Sequence, residues 1–241
     1  MGKLSDFEVL SFDVYGTLID WETGILTALQ PLLDANHAEF TKQELLNAVH
    51  ECERTQQAKT PGLRYSKLLA SIHPGIAKKL GLAEPSPEDS IAFGASVGAW
   101  PAFPDTVDAL KRLGKQYKLV VLSNVDHESF DRSNSGPLQG VKFDLILTAQ
   151  DIGSYKPDLR NFTYMLKEVD EKLGVFKEKI LQTAQSQFHD HRPARTIGIR
   201  SSWIVRPGAV MGNCSETVYD WSFDTLGDMA DALEAELRGG L

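Results

Sequence analysis

The chain has 241 residues, enough for one substantial α/β domain or for a core with a modest insertion. Its 33 acidic residues outnumber 25 basic ones, and the resulting net charge of −8 argues against a nucleic-acid or anionic-membrane partner. Two cysteines, Cys52 and Cys214, cannot form a disulfide framework and lack metal-type spacing with histidine, so a reducing, cytoplasmic setting is the expectation.

The first residues hold no apolar signal segment, and no run approaches the roughly 18 apolar residues of a membrane helix. Met1-Gly2 is followed by Asp6 where an acylation signal has Ser or Thr. No internal repeat or low-complexity tract is present.

The apolar run at 8–12 is too short for a helix and reads as a buried strand. It ends at Asp13, and Gly16 supplies a turn. Ligands of open α/β sheets bind outside the carboxyl edge, where a buried carboxylate is either paired for structure or used as a nucleophile. From about residue 21 to 98 the patterns are helical throughout, with breaks expected at Pro31, Pro61, Pro74 and Ser86-Pro87. Ser86-Pro87-Glu88-Asp89 carries the N-cap serine, first-turn proline and acids of a helix start. At 100–105 a proline and an acid reopen a helix expected over 106–116.

A second strand at 118–122 ends in Ser123 and Asn124, residue types that on their own suit turns and caps. A third strand is expected at 144–147. Ser154-Tyr155-Lys156-Pro157-Asp158 then precedes an amphipathic helix at 159–173, and taken alone Lys156 is an ordinary loop lysine. Strands at 179–183 and 202–205 flank a helix at 192–197, and a last helix covers 226–237. His189-Asp190-His191 admits a metal site or a general base, although three adjacent residues cannot all converge on one ion from a regular backbone. Alternation of strand and helix argues for a parallel sheet wound on both faces.

Asp13-Val14-Tyr15-Gly16-Thr17-Leu18 resembles the first motif of the haloacid dehalogenase superfamily, whose members attack substrates with this Asp. The segments around Ser123, Lys156 and 181–191 resemble its second, third and fourth motifs, in order, and the helical block resembles its cap. The resemblance implies an α/β fold with a Rossmann-like parallel-sheet core (1–18 and 100–241) and an inserted helical cap (19–99). Cap and core would wall a closed pocket, where ligands most often sit. It also implies roles. Asp13 is the nucleophile and Thr17 orients its carboxylate. Ser123 donates to a substrate oxygen, and Asn124 offers its amide to halide or substrate carboxylate. Lys156 keeps Asp13 ionised and offsets charge. Asp190, eight residues before Gly198, helps position water or substrate.

Two positions discriminate within the superfamily. The phosphatase branch usually carries a second Asp two residues after the nucleophile, whereas this chain has Tyr15, as 2-haloacid dehalogenases have an aromatic. A halide leaves as an anion and needs no proton. Gln185 falls where metal-dependent phosphatases carry a Mg²⁺-binding Asp, and a hard cation wants anionic oxygen ligands. The resemblance therefore implies hydrolysis of small 2-haloalkanoic acids through an aspartyl ester, with no metal or other cofactor. Tyr15, Gln185 and His189 would bind substrate, beside apolar lining from Trp21 and Phe188. Phe162 departs from the Tyr these enzymes tend to have there, and Arg54 and Arg64 are both candidates for their cap arginine. The alternatives are a phosphatase acting on a small phosphorylated metabolite and a non-catalytic relative that binds small carboxylates. Members often pair through core or cap helices, which leaves a homodimer open.

Overall fold

Val9-Leu10-Ser11-Phe12 has no face that water could solvate cheaply, and strand β1 (Val9–Phe12) is buried at every position in the middle of the sheet. In this computed structural model, which describes residues 2–239, five further strands join it. They are β2 (Lys118–Ser123), β3 (Leu145–Thr148), β4 (Ile180–Ala184), β5 (Arg200–Ile204) and β6 (Trp221–Phe223). Their order is β3-β2-β1-β4-β5-β6, and every adjacent pair is parallel. The expected doubly wound α/β architecture is present. Met1, with the Met1-Gly2 start considered above, and residues 240–241 lie outside the described residues.

Successive side chains of each strand enter opposite cores. Leu10, Phe12, Leu119, Val121 and Leu181 join the larger one. Val9, Val120, Leu122 and Ile180 join the smaller, which helices α8 (Leu159–Leu173) and α9 (Arg192–Ile197) cover through Phe162, Met165, Val169 and Ala194. Helices α5 (Thr106–Leu113) and α10 (Leu226–Gly239) lie on the other side, with Ala109, Leu110, Met229 and Leu233 in the larger core.

Helices α1 (Trp21–Ala35), α2 (Lys42–Lys59), α3 (Tyr65–Lys79) and α4 (Pro87–Ala95) all fall between β1 and β2 in sequence. The chain leaves the sheet and returns along itself. The Asp20 amide donates to the Pro101 carbonyl at 2.8 Å and the Phe103 amide to the Leu18 carbonyl at 3.1 Å, around an antiparallel bridge from Ile19 to Ala102. Gly16 makes the turn at φ 101°, a conformation that strains any side chain, and a Cβ there would crowd the Trp21 ring at 3.1 Å. Ser86 and Asp89 cap α4 reciprocally: the Asp89 amide donates to Ser86 Oγ at 3.0 Å and the Ser86 amide to Asp89 Oδ2 at 3.3 Å.

The structure departs from the sequence expectations in four places. Pro31 and Pro74 lie inside α1 and α3 instead of ending them. A helical proline frees the carbonyl four residues back, and for Pro31 that residue is Thr27, which is exposed to solvent. The helix expected to run to 116 stops at Leu113, with Gly114 after it. Asp105 does not cap that helix, because its carboxylate is taken by Arg206 and by the Gly227 amide. The short elements α6 (His127–Ser135), α7 (Ala149–Ile152) and β6 carry too little apolar pattern to be read from sequence. No described helix is long and apolar enough to cross a membrane.

Candidate active site

Strand order reverses beside β1, since the chain proceeds from it to β2 and β3 on one side and then to β4 on the other. That reversal opens a crevice at the carboxyl ends of the strands. Asp13 follows β1, Ser123 ends β2, and the Gln185–Asp190 region follows β4.

Three charged groups meet there. Lys156 Nζ donates to Asp13 Oδ1 at 2.9 Å, to Asp190 Oδ1 at 2.7 Å and to the Leu122 carbonyl at 2.8 Å. Lys156 is 1% exposed and Asp190 fully buried, whereas Asp13 keeps 6% exposure at the cavity. Burial alone would discharge the Lys156 ammonium, yet the two carboxylates hold its pKa above the ordinary value. Burial pushes the Asp190 carboxyl up, against the opposing pull of Lys156. Gln182 Nε2 also donates to Asp190 Oδ1 at 3.0 Å, while Asp190 Oδ2 is buried without a protein partner.

Thr17 Oγ donates to Asp13 Oδ2 at 2.7 Å and accepts from the Gln185 amide at 2.9 Å, so both Asp13 oxygens are held. Arg206, buried behind this loop, donates from Nε to the Thr17 carbonyl at 2.9 Å and lies 4.1 Å over the Phe103 ring. Asn124 braces Lys156 through the backbone: its Oδ1 accepts from the Lys156 amide at 2.7 Å and its Nδ2 donates to the Lys156 carbonyl at 3.1 Å. One Nδ2 hydrogen remains for a ligand. Ser123 Oγ faces the same cavity, buried and without a protein partner.

The donor set does not fit a divalent cation. The ammonium already sits between the two carboxylates. Gln185 turns its Nε2 to the Met211 carbonyl at 2.9 Å and to Asn213 Oδ1 at 3.0 Å, holding a loop that lines the cavity. Tyr15 donates or accepts at Ser133 Oγ, 2.8 Å away, and meets Trp100 edge-on at 5.7 Å. Burial raises its phenol further above the ordinary range. Among the described residues no three His, Cys, Asp or Glu side chains converge as a metal site.

The metal reading of His189-Asp190-His191 therefore falls, because the three side chains diverge. His189 lines the cavity with Nδ1 3.0 Å from Ser186 Oγ. Desolvation, then the Lys156 cation, push its pKa down to about 4, so the ring is neutral at pH 7. His191 is buried away from it, with Nδ1 2.9 Å from Ser201 Oγ and Nε2 2.9 Å from the Ala184 carbonyl.

A cavity of about 440 Å³ covers this constellation. Tyr15, Trp21 and Phe188 line it as expected. Arg54 also lines it; Arg64, at the start of α3, does not. Phe162 is fully buried in the smaller core beneath the sheet, so its position answers to packing. Sequence reasoning missed His50, Glu53, Gln57 and Tyr65, which line the cavity from α2 and α3. Residues 50, 53, 54 and 57 recur at i, i+3, i+4 and i+7, which is the signature of one helix face and the signal that was available.

The family model of haloacid dehalogenase-like hydrolases matches residues 7–181. An (S)-2-haloacid dehalogenase of Pseudomonas sp. (strain YL) is 28% identical over 239 residues, covering 93% of this chain and 94% of that one. A solved defluorinating L-2-haloacid dehalogenase superposes with a TM-score of 0.79 at 18% identity, covering 97% of this chain and 99% of its own. The L-2-haloacid dehalogenase of Xanthobacter autotrophicus, with chloropropionic acid covalently bound, gives 0.74 at 17% identity, over 95% and 98%. At such identities the solved structures speak for the fold alone. The family match, by contrast, runs from the residues before β1 into β4 and takes in Asp13, Ser123 and Lys156, and on that basis the chain belongs to the haloacid dehalogenase-like hydrolases.

Proposed function

We propose that this hydrolase cleaves the carbon–halogen bond of small 2-haloalkanoic acids through an ester on Asp13, without a metal. The observation that carries the reading is the Lys156 ammonium shared between Asp13 and Asp190, beside a tyrosine where a leaving-group acid would stand. The names of the full-length Pseudomonas relatives support the substrate class.

Asp13 attacks C2 in line, and the carbon–halogen bond breaks to release halide as an anion. Splitting one displacement into two steps is the gain of covalent catalysis. Ser123 Oγ and the spare Asn124 hydrogen bind the substrate carboxylate, and Arg54 draws the anion into the cavity. Water then attacks Asp13 Cγ and passes a proton to Asp190 Oδ2, the buried oxygen without a partner. Lys156 stabilises the oxyanion. The Cγ–O bond to substrate breaks, the departing 2-hydroxy acid oxygen takes the proton back, and Asp13 keeps the oxygen of water. Each turnover yields one halide and one proton. Residues 19–99 act as the cap, excluding water so that the Asp13 carboxylate is less solvated and more reactive.

Halide release from racemic 2-chloropropionate in EDTA, with Asp13→Asn as blank, tests the reading. Release that requires Asp13 and ignores the chelator is the expected result. Release only with Mg²⁺ present, or none at all, contradicts it.

A further inference from the structure

A three-carbon haloacid would fill little of the 440 Å³ cavity, a size that elsewhere accepts far larger ligands. The wall supplied by α2 and α3 is polar, and its centre is Glu53. Glu51, two residues earlier, pairs with Lys79, whereas Glu53 faces the cavity with no ion-pair partner among the described residues. Gln57 Nε2 donates to Glu53 Oε1 at 3.1 Å, and the Tyr65 phenol stabilises the anion. Desolvation nevertheless pushes the Glu53 carboxyl up to about 7, the mark of a carboxylate that lacks a cation. The other nearby phenols are engaged elsewhere, Tyr15 with Ser133 and Tyr155 with the Leu63 carbonyl.

Arg54 on the same helix face forms no ion pair with Glu53, so this part of the wall presents an uncompensated carboxylate. Gln57 gives one Nε2 hydrogen to Glu53 and keeps its Oε1 to accept and its second hydrogen to donate. Tyr65 adds an aromatic face in the same cavity, suited to a cation. A simple 2-haloalkanoic acid carries no cation and would leave Glu53 unpaired. We propose that Glu53, with Gln57 and Tyr65, recognises an ammonium on the far end of the substrate. The substrate class is then a 2-haloalkanoic acid whose chain ends in an amine. The halogen rests on the dehalogenase reading above; the amine does not.

Binding separates the two. Isothermal titration at pH 8 would compare 4-aminobutanoate through 8-aminooctanoate with alkanoates of equal length, on the intact protein and on Glu53→Gln. At the best length the amine should bind at least ten-fold tighter than its alkanoate, and Glu53→Gln should bring the pair within two-fold. Equal or weaker binding of every amine, a preference that survives Glu53→Gln, or no binding of either series overturns the proposal. Halide release from 2-chloropropionate without an amine preference sinks the tail alone. An amine preference without halide release sinks the dehalogenase reading and leaves this recognition site standing.

Discussion

Lys156 reaches Asp190 at 2.7 Å with the same ammonium that holds Asp13 at 2.9 Å, so one buried cation serves two buried carboxylates. Removing it leaves both acids uncompensated, and breaking a buried pair in this way costs about 3–5 kcal/mol. Lys156→Met should lower the denaturant midpoint accordingly and abolish halide release. Adding Asp190→Asn should return part of the stability and none of the activity. Unfolding curves and halide assays on both variants check this.

The Thr17 hydroxyl is the second clamp on Asp13 and also receives the Gln185 amide. Thr17→Val keeps the shape and removes both bonds. Stability should fall by about 1–3 kcal/mol, the cost of a buried polar group left unmatched. Turnover should fall with little change in KM, since the variant misplaces the attacking oxygen and leaves the pocket wall intact.

Asp126 ties the inserted helices to the core. Its Oδ2 accepts from the Ser66 amide of α3 at 2.9 Å and its Oδ1 from the Ser129 amide of α6 at 3.0 Å. Burial acts to raise this carboxyl, but the donors outweigh it and hold its pKa below the ordinary value. A depressed acid adds stability above its unfolded pKa, about 3.9, and that contribution is lost as pH falls through the lower folded value. Asp126→Ala should cost about 1–3 kcal/mol at pH 7 and raise KM by loosening the cavity wall. Denaturation at pH 7 and pH 3 should show the gap between variant and parent closing in acid.

His191 makes stability sensitive to acid in a second way. Burial depresses its pKa to about 4, so between its unfolded value near 6.5 and 4 only the unfolded chain binds the proton. Stability from this group is complete above about 6.5 and declines on acidification, reaching a loss of about 3 kcal/mol near pH 4. His73, buried with neither ring nitrogen partnered and stacked on Phe93 at 4.4 Å, has its pKa lowered by burial in the same sense. His73→Leu should flatten the slope between pH 7 and 4.5 without harming stability at neutrality, as thermal melts across that range would show.

The place of Asp13 was legible because its strand is local: four buried residues, an acid and a glycine turn. Lys156 was legible by order along the chain, and the structure brings it to Asp13 across 143 positions. Arg206 was not, since its bonds to Thr17 and Asp105 span 189 and 101 positions and leave no local pattern. Asn124 was found, but its bracing of the Lys156 backbone depends on a loop 32 residues away. β6 escaped because it is a three-residue edge strand, with Ser222 exposed between two half-buried aromatics, too short to be read as a strand. Pro31 and Pro74 misled because packing of an amphipathic face outweighs the loss of one helical hydrogen bond.

A single turnover of 2-chloropropionate in H₂¹⁸O, with enzyme in excess, tests the Asp13 ester most directly. The account predicts unlabelled lactate and one ¹⁸O in the peptide that contains Asp13, read by mass spectrometry. Label in the lactate, with the Asp13 peptide unchanged, would mean that water attacks the substrate carbon directly and would contradict it.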